Sequence, residues 1–460
     1  MTSTEASGGL DRSRPPEAAG AARPFVFPAF ERRRLSCGTD LLSIHAGNLP
    51  LVHLRLLIGA GGHHAPADLP GLPSFMAALM DEGTARRSGP ELAAEIERLG
   101  GYLGTGAGWD AAVVETEVLV EDLATGLDLM AEVAREPSFP NHEVGRVRRQ
   151  LQAEIEHRRT DPAAVASEHF ARVLYRGTVY DRPLIGTGDS LDRADRDTVV
   201  GFHSRHVAAV GATLVAVGDV EPERLYETAE TAFSNWLGQT PADPAIEVSP
   251  ARELRFEIVD RPGAAQTELR VGQIGIPRSD PRFLRASVLS SLFGGKFTSR
   301  LMLNLRETRG FTYGVRSSFD KRIGPGPFVI STALANEHVG AALDEVFGEL
   351  DRLLAEEPDE AEVADTRDYL IGSFPYSVET MRGLAGRLSD LAIYDLADDY
   401  YARFPAAVAA VSGADLLDTA RELLAPDRSL VVCVGPADEL RRDLEDRFEA
   451  PVTVVGTDDR

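Results

Sequence analysis

Cysteine is scarce: Cys37 and Cys433 are the only two in 460 residues, 396 positions apart. That supports neither a disulfide framework nor a cysteine metal centre. Each lies in or beside an apolar strand-like run, where a free thiol packs as a small hydrophobe. No run of eighteen apolar residues occurs, so no membrane span is expected. The first 24 residues, MTSTEASGGLDRSRPPEAAGAARP, are small, polar and proline-bearing and lack the apolar stretch of a signal peptide. A cytoplasmic protein with a disordered tail over 1–24 is the expectation. Positive charge is short too. Forty-eight basic residues, of which only Lys296 and Lys321 are lysines, face 72 acidic ones, for a net charge of −24. Nucleic acid, which is held by basic groups that displace its counterions, is excluded as a partner. The acidic excess is read as a solubility device.

What is present is the composition of a folded protein, 43% hydrophobic and 26% charged, on a chain too long for one ordinary core. Residues 31–62 alternate short apolar runs with the turn residues Gly38, Asp40, Gly47 and Asn48, a pattern of strands joined by tight turns. Residues 69–82 read as a helix with Leu72, Phe75, Met76 and Leu79 on one face, ended by Gly83. A second helix is expected over 91–101, a strand over 111–120, a helix over 122–139 and a long charged helix over 141–160. ATLVAVGDV (212–220) reads as a buried strand. Residues 237–252 hold three prolines and no periodicity, the composition of a linker. Beyond it the pattern repeats. TELRVGQIGIPR from Thr267 echoes LVHLRLLIGAGG from Leu51, an offset of 216, and Gly435 echoes Gly218, an offset of 217. Two landmarks at opposite ends of each half argue for a duplication, with halves over 25–236 and 253–460.

PGLPSFMAALMDEGT (70–84), FHSRHVAAVGATLVAVGDVEPERL (202–225) and LFGGKFTSRLMLNLRETRGFTYGVRSSF (292–319) resemble the corresponding segments of pitrilysin/insulinase-like metallopeptidases. The resemblance covers nearly the whole chain from about Phe25. It implies an α+β fold of two duplicated halves, each an antiparallel-rich sheet with packed helices, forming half of a clamshell dimer. In that family the first segment carries an inverted zinc motif, His-x-x-Glu-His, ahead of a Gly-Thr pair. Two histidines four apart on one helix face can share a zinc ion and leave a position for water, whose proton the glutamate takes. Aligned on Gly71 and Gly83-Thr84, the motif positions here are Ser74, Ala77 and Ala78. None of these offers imidazole or carboxylate. Glu154, 76 residues beyond Ala78, stands where the resemblance places the distal glutamate ligand. One carboxylate cannot hold a catalytic zinc, so Glu154 is read as a leftover or solvated helix residue. The ten histidines include no His-x-x-Glu-His and no His-Glu-x-x-His. His63-His64 reads as a loop pair, and His203 with His206 as helix residues, all surface or capping histidines. No metal is expected in this chain.

Arg306 and Tyr313, seven apart, match the arginine–tyrosine pair of the family's C-terminal half. Gly310 should end a helix there, leaving Arg306 in its last turn and Tyr313 opening the next strand. A guanidinium and a phenol pointing into one cavity can both donate hydrogen bonds to substrate carbonyls, and the phenol can stabilise an oxyanion. The glycine loop before them is only Gly294-Gly295, shorter than in mitochondrial processing peptidase α subunits and closer to bacterial small-chain members. The resemblance therefore implies a non-catalytic subunit that binds a peptide substrate beside a homologous chain holding the zinc. A structural core-type protein of a larger complex and a homodimeric peptide binder are the alternatives.

Overall fold

The run LVVCVG is hydrophobic at nearly every position because it is buried on both faces at the middle of a sheet. LVAVG occupies the matching place in a second sheet. In the computed structural model, which describes residues 25–47 and 49–456, these two six-stranded sheets organise the chain. The tail 1–24 and the turn residue Asn48 lie outside the described residues.

The first sheet contains β1 (Glu31–Arg34), β2 (Asp40–His45), β3 (Leu51–Ile58), β4 (Tyr102–Ala107), β5 (Ala112–Leu119) and β6 (Thr213–Gly218), in the order β1-β2-β6-β3-β5-β4. The second contains β7 (Arg255–Asp260), β8 (Gln266–Ile274), β9 (Val315–Phe319), β10 (Pro327–Ala335), β11 (Leu430–Gly435) and β12 (Val452–Val455), in the order β12-β7-β11-β8-β10-β9. Five strands correspond one to one, including the parallel pairs β2–β6 and β7–β11. Only the outer strand differs: β1 is antiparallel to β2, whereas β12 arrives from the end of the chain and lies parallel to β7.

The ladders also correct the sequence match by one residue. Gly218 and Gly435 close equivalent strands, 217 apart, but Leu54 faces Ala216 and Leu269 faces Cys433. The paired strands are therefore offset by 215 (269 less 54), not 216. In a sheet, one residue reverses the face a side chain occupies. Leu54 and Leu269 both enter the main core of their sheet, while Arg270, the partner implied by the sequence match, bonds Ser167 Oγ and Ala163 O on the opposite face.

One face of the first sheet packs Leu54, Leu56 and Ile58 in a core shared with the helices Leu72–Met80 and Leu123–Arg135. The other face presents Leu42, Ile44, Leu57, Val215 and Val217, covered by Leu384, Leu388 and Leu391 of the helix Met381–Ile393. In the second sheet Leu430, Val432 and Val434 are covered by Val165, Phe170 and Val173 of the helix Pro162–Leu174. Each sheet is thus roofed by a helix from the other half of the chain. Both roof helices start on a side-chain cap. Asp161 accepts from Ala163 N at 2.9 Å ahead of Pro162, and Thr380 accepts from Gly383 N at 3.0 Å. Burying each of the leucines named contributes about 1.5–3 kcal/mol, so the exchange is a principal part of the packing. Segment 237–252 forms no helix or strand, but Gln239 bridges to Val210, tying it to the first half. No helix among the described residues is long and apolar enough to cross a membrane.

Candidate functional site

Gly71 adopts φ 83° and starts the helix Leu72–Met80; a Cβ there would meet the backbone of Gly186 at 2.4 Å. On that helix Ser74 donates from Oγ to Leu184 O at 2.8 Å. Ala77 is fully buried and its carbonyl accepts from Thr105 Oγ1 at 2.7 Å. Ala78 is half-buried against the same core. These three residues are used for packing and two hydrogen bonds, and their side chains offer no donor set for a zinc ion. Glu154 lies on the neighbouring helix Asn141–Thr160, exposed and without an ion pair or hydrogen bond among the described residues. The carboxylate is present, but nothing on the facing helix could share a metal with it.

The segment carrying Arg306 and Tyr313 departs from the expected loop and regular helix. Gly294 and Gly295 end a helical stretch that runs on from Phe283–Ser290 through a widened turn, Ser291–Gly295, so they form no loop. Gly294 is required there: a Cβ would lie 2.7 Å from Ser317 N and 2.8 Å from Ser317 Oγ. A second widened turn, Met302–Thr308, holds Arg306, and Arg309 N donates back five residues to Asn304 O at 2.9 Å. Gly310, at φ 67°, ends it and donates to Arg306 O at 3.1 Å, as expected. Tyr313 stands two residues ahead of β9, in the connecting loop and not on the strand.

Arg306 places its guanidinium over the Phe297 ring at 4.6 Å and 3.6 Å from Glu307 Oε1. Tyr313 is 91% exposed, with no hydrogen bond or ring contact among the described residues. Phe297 and Leu303 on the same segment are exposed as well. Among the described residues no hydrogen bond or ring contact joins Arg306 to Tyr313, and none encloses the phenol. The exposed side chains of Phe297, Leu303 and Tyr313 and the partly exposed guanidinium of Arg306, all within seventeen residues, form a surface suited to a second body.

The histidines depart further from expectation. His53, His63, His169, His203 and His206 are buried, not on the surface. Each of three finds a specific acceptor: His63 Nδ1 lies 2.7 Å from Trp109 O, His203 Nε2 lies 2.9 Å from Ala134 O, and His169 Nε2 lies 3.4 Å from Glu257. His63 also reaches Asp243 Oδ1 through Nε2 at 2.8 Å. Burial lowers the His63 pKa, but the Asp243 and Trp109 contacts outweigh it and leave it above the ordinary value. His64 is held at about 4 by burial and by its neighbours His63 and His206, against the pull of Asp243 and the Ala242 backbone. His206 is likewise held at about 4, by burial and then by Arg205 and His63. Sequence reading missed this group because Asp243 lies in a segment whose composition marks only a linker.

Comparison with known proteins follows the same division. The family described as insulinase (peptidase family M16) matches residues 41–188, and that described as peptidase M16 inactive domain matches residues 193–370. An uncharacterised zinc protease of Rickettsia bellii is 24% identical over 339 residues, 74% of this chain and 81% of its own length. Another, from Streptomyces coelicolor, is 25% identical over 378 residues, 80% of this chain and 81% of its own. Among solved structures, a peptidase M16 inactive domain from Pseudomonas fluorescens matches with a TM-score of 0.83 at 27% identity, covering 89% of this chain and 98% of that one. A protease from Helicobacter pylori shares the fold with a TM-score of 0.81 at 19% identity, over 89% of this chain and 100% of that one.

Proposed function

The chain belongs to the insulinase-type M16 peptidase family as a non-catalytic member, and from that premise we propose that it is the substrate-binding subunit of a heterodimeric zinc endopeptidase of the cytoplasm. Its partner would be a homologous chain carrying the zinc motif, with the metal and the general base there. This chain would supply Arg306 and Tyr313 across the shared cavity. The observation that carries the reading is the exposure of Tyr313, 91% and without a partner, in a chain whose own motif positions hold Ser74, Ala77 and Ala78. A phenol left in water contributes nothing to the fold; facing a bound peptide, it can donate a hydrogen bond to the oxygen on which charge develops. Arg306, kept in place by Phe297, can hold a neighbouring peptide carbonyl.

The test is capture of the native protein with identification of what accompanies it, followed by peptide hydrolysis assays. A partner carrying His-x-x-Glu-His is expected, with hydrolysis by the complex and none by this chain alone when zinc is supplied. Chelator-sensitive hydrolysis by the purified chain alone would overturn the proposal. Recovery only with respiratory membrane subunits would replace it with the structural reading.

A further inference from the structure

His63 and His64 lie in the short turn Gly62–His64 after β3, and Asp243 lies in the segment 237–252. One ligand atom from each of the three comes within 4.8 Å of the other two. The side chains of His63 and His64 are 0% and 5% exposed, whereas that of Asp243 is 47% exposed. Trp109 O can only accept, so the His63 proton that it binds sits on Nδ1, leaving Nε2 directed at Asp243 Oδ1. A histidine whose Nδ1–H is fixed by a backbone carbonyl turns Nε2 toward a ligand, as at metal sites; here Nε2 shares a proton with Asp243, which a bound cation would displace. His64 provides the second, independent observation. Its Nε2 is 3.6 Å from the same Asp243 oxygen, and, apart from an approach to the Ala242 backbone, its two buried ring nitrogens have no hydrogen-bond partner among the described residues. His206 Nδ1 is also buried and unpaired, with its ring 4.8 Å from that of His64. Buried polar atoms without partners are uncommon in a folded chain, and two of these three belong to His64, whose Nε2 faces the Asp243 carboxylate.

We propose that His63, His64 and Asp243 form a binding site for a first-row divalent cation of the zinc type, unrelated to the degenerate motif on the helix Leu72–Met80. Two imidazoles and one carboxylate make a donor set such ions favour, with a fourth position left for water. The half-exposed Asp243 provides the way in. The bound ion would pin the segment between the halves to the turn that follows β3, so its role would be structural. This departs from the expectation of a metal-free chain, and it stands or falls independently of the subunit proposed above.

The experiment is a Zn²⁺ titration of untagged full-length protein by calorimetry, with bound metal counted by elemental analysis after dialysis. Saturable binding of one ion per chain is expected. Asp243→Asn and His64→Asn should each weaken it at least about tenfold, while Glu154→Gln, at the degenerate site, should leave it unchanged. Asp243→Asn keeps the side-chain shape at a half-exposed loop position, so it tests the site without testing the core. Proteolysis within 237–252 should slow when Zn²⁺ is added to the parent chain and not when it is added to Asp243→Asn. Absence of saturable binding, binding that both site variants leave intact, or binding lost in Glu154→Gln would each overturn the assignment.

Discussion

Replacing Tyr313 by phenylalanine removes one hydroxyl from a side chain that is 91% exposed and makes no hydrogen bond or ring contact among the described residues. Nothing folded depends on that oxygen, so stability should stay within about 0.5 kcal/mol of the parent, the usual range for a surface substitution. If the phenol donates to the oxyanion in a partner's site, turnover by the reconstituted complex should fall about 10²–10³-fold, roughly 3–4 kcal/mol of transition-state stabilisation. The separation between a negligible folding effect and a large kinetic one is what makes the variant informative. Arg306→Ala is the comparator, because it removes structure as well: the contact over Phe297 at 4.6 Å is worth about 0.5–1 kcal/mol at an exposed site. Its pair with Glu307 adds about 1 kcal/mol at most. The assay is steady-state hydrolysis of a peptide by reconstituted complex, with melting and complex formation measured for each variant. Loss of a contact made only in the transition state lowers kcat, whereas loss of a ground-state contact raises KM. Unchanged hydrolysis in Tyr313→Phe, with complex formation intact, would refute the role and leave the pair as surface chemistry.

Two further outcomes follow from the packing. Gly294→Ala should destabilise the chain by about 1–3 kcal/mol in denaturant titration, because its Cβ would sit 2.7 Å from Ser317 N in a buried place; a variant as stable as the parent would show that β9 can yield. Burial holds the His203 pKa below its ordinary value, so its contribution to stability is fully present above about pH 6.5 and is lost as pH falls through the folded-state value. Urea midpoints compared between about pH 7.5 and about pH 5.5 should fall less steeply for His203→Gln than for the parent; parallel slopes would rule the residue out as a source of acid sensitivity.

Much of the framework could be read from local pattern, since period and punctuation are local properties. The charged helix Asn141–Thr160 has its expected bounds, and the buried strand Thr213–Gly218 lies within its expected run. What escaped depends on partners distant in the chain. The offset of 216 came out as 215 because sequence similarity along a strand does not see which residue its neighbour faces. Gly294-Gly295 suggested a loop, yet Gly294 is a helix residue pressed against Ser317, a contact invisible until β9 is placed. Picking out Ser74, Ala77 and Ala78 needed only a spacing, and the helix expected around them is Leu72–Met80. Asp243 could not be connected to His63 by any spacing, because the contact joins residues 180 apart through a stretch without periodicity.

The reciprocal roofing of the two sheets has a consequence for how such a chain can be divided. Severing it within 237–252 would not release two finished units: one fragment would carry the helix Pro162–Leu174 with nothing to cover, and the other would carry Met381–Ile393 in the same condition. Each fragment would also bare an apolar sheet face, Leu42, Ile44, Leu57, Val215 and Val217 in one and Leu430, Val432 and Val434 in the other. The architecture is that of a domain-swapped dimer whose two protomers have been joined end to end. Two copies of a single half, exchanging the same helix, would cover the same apolar faces.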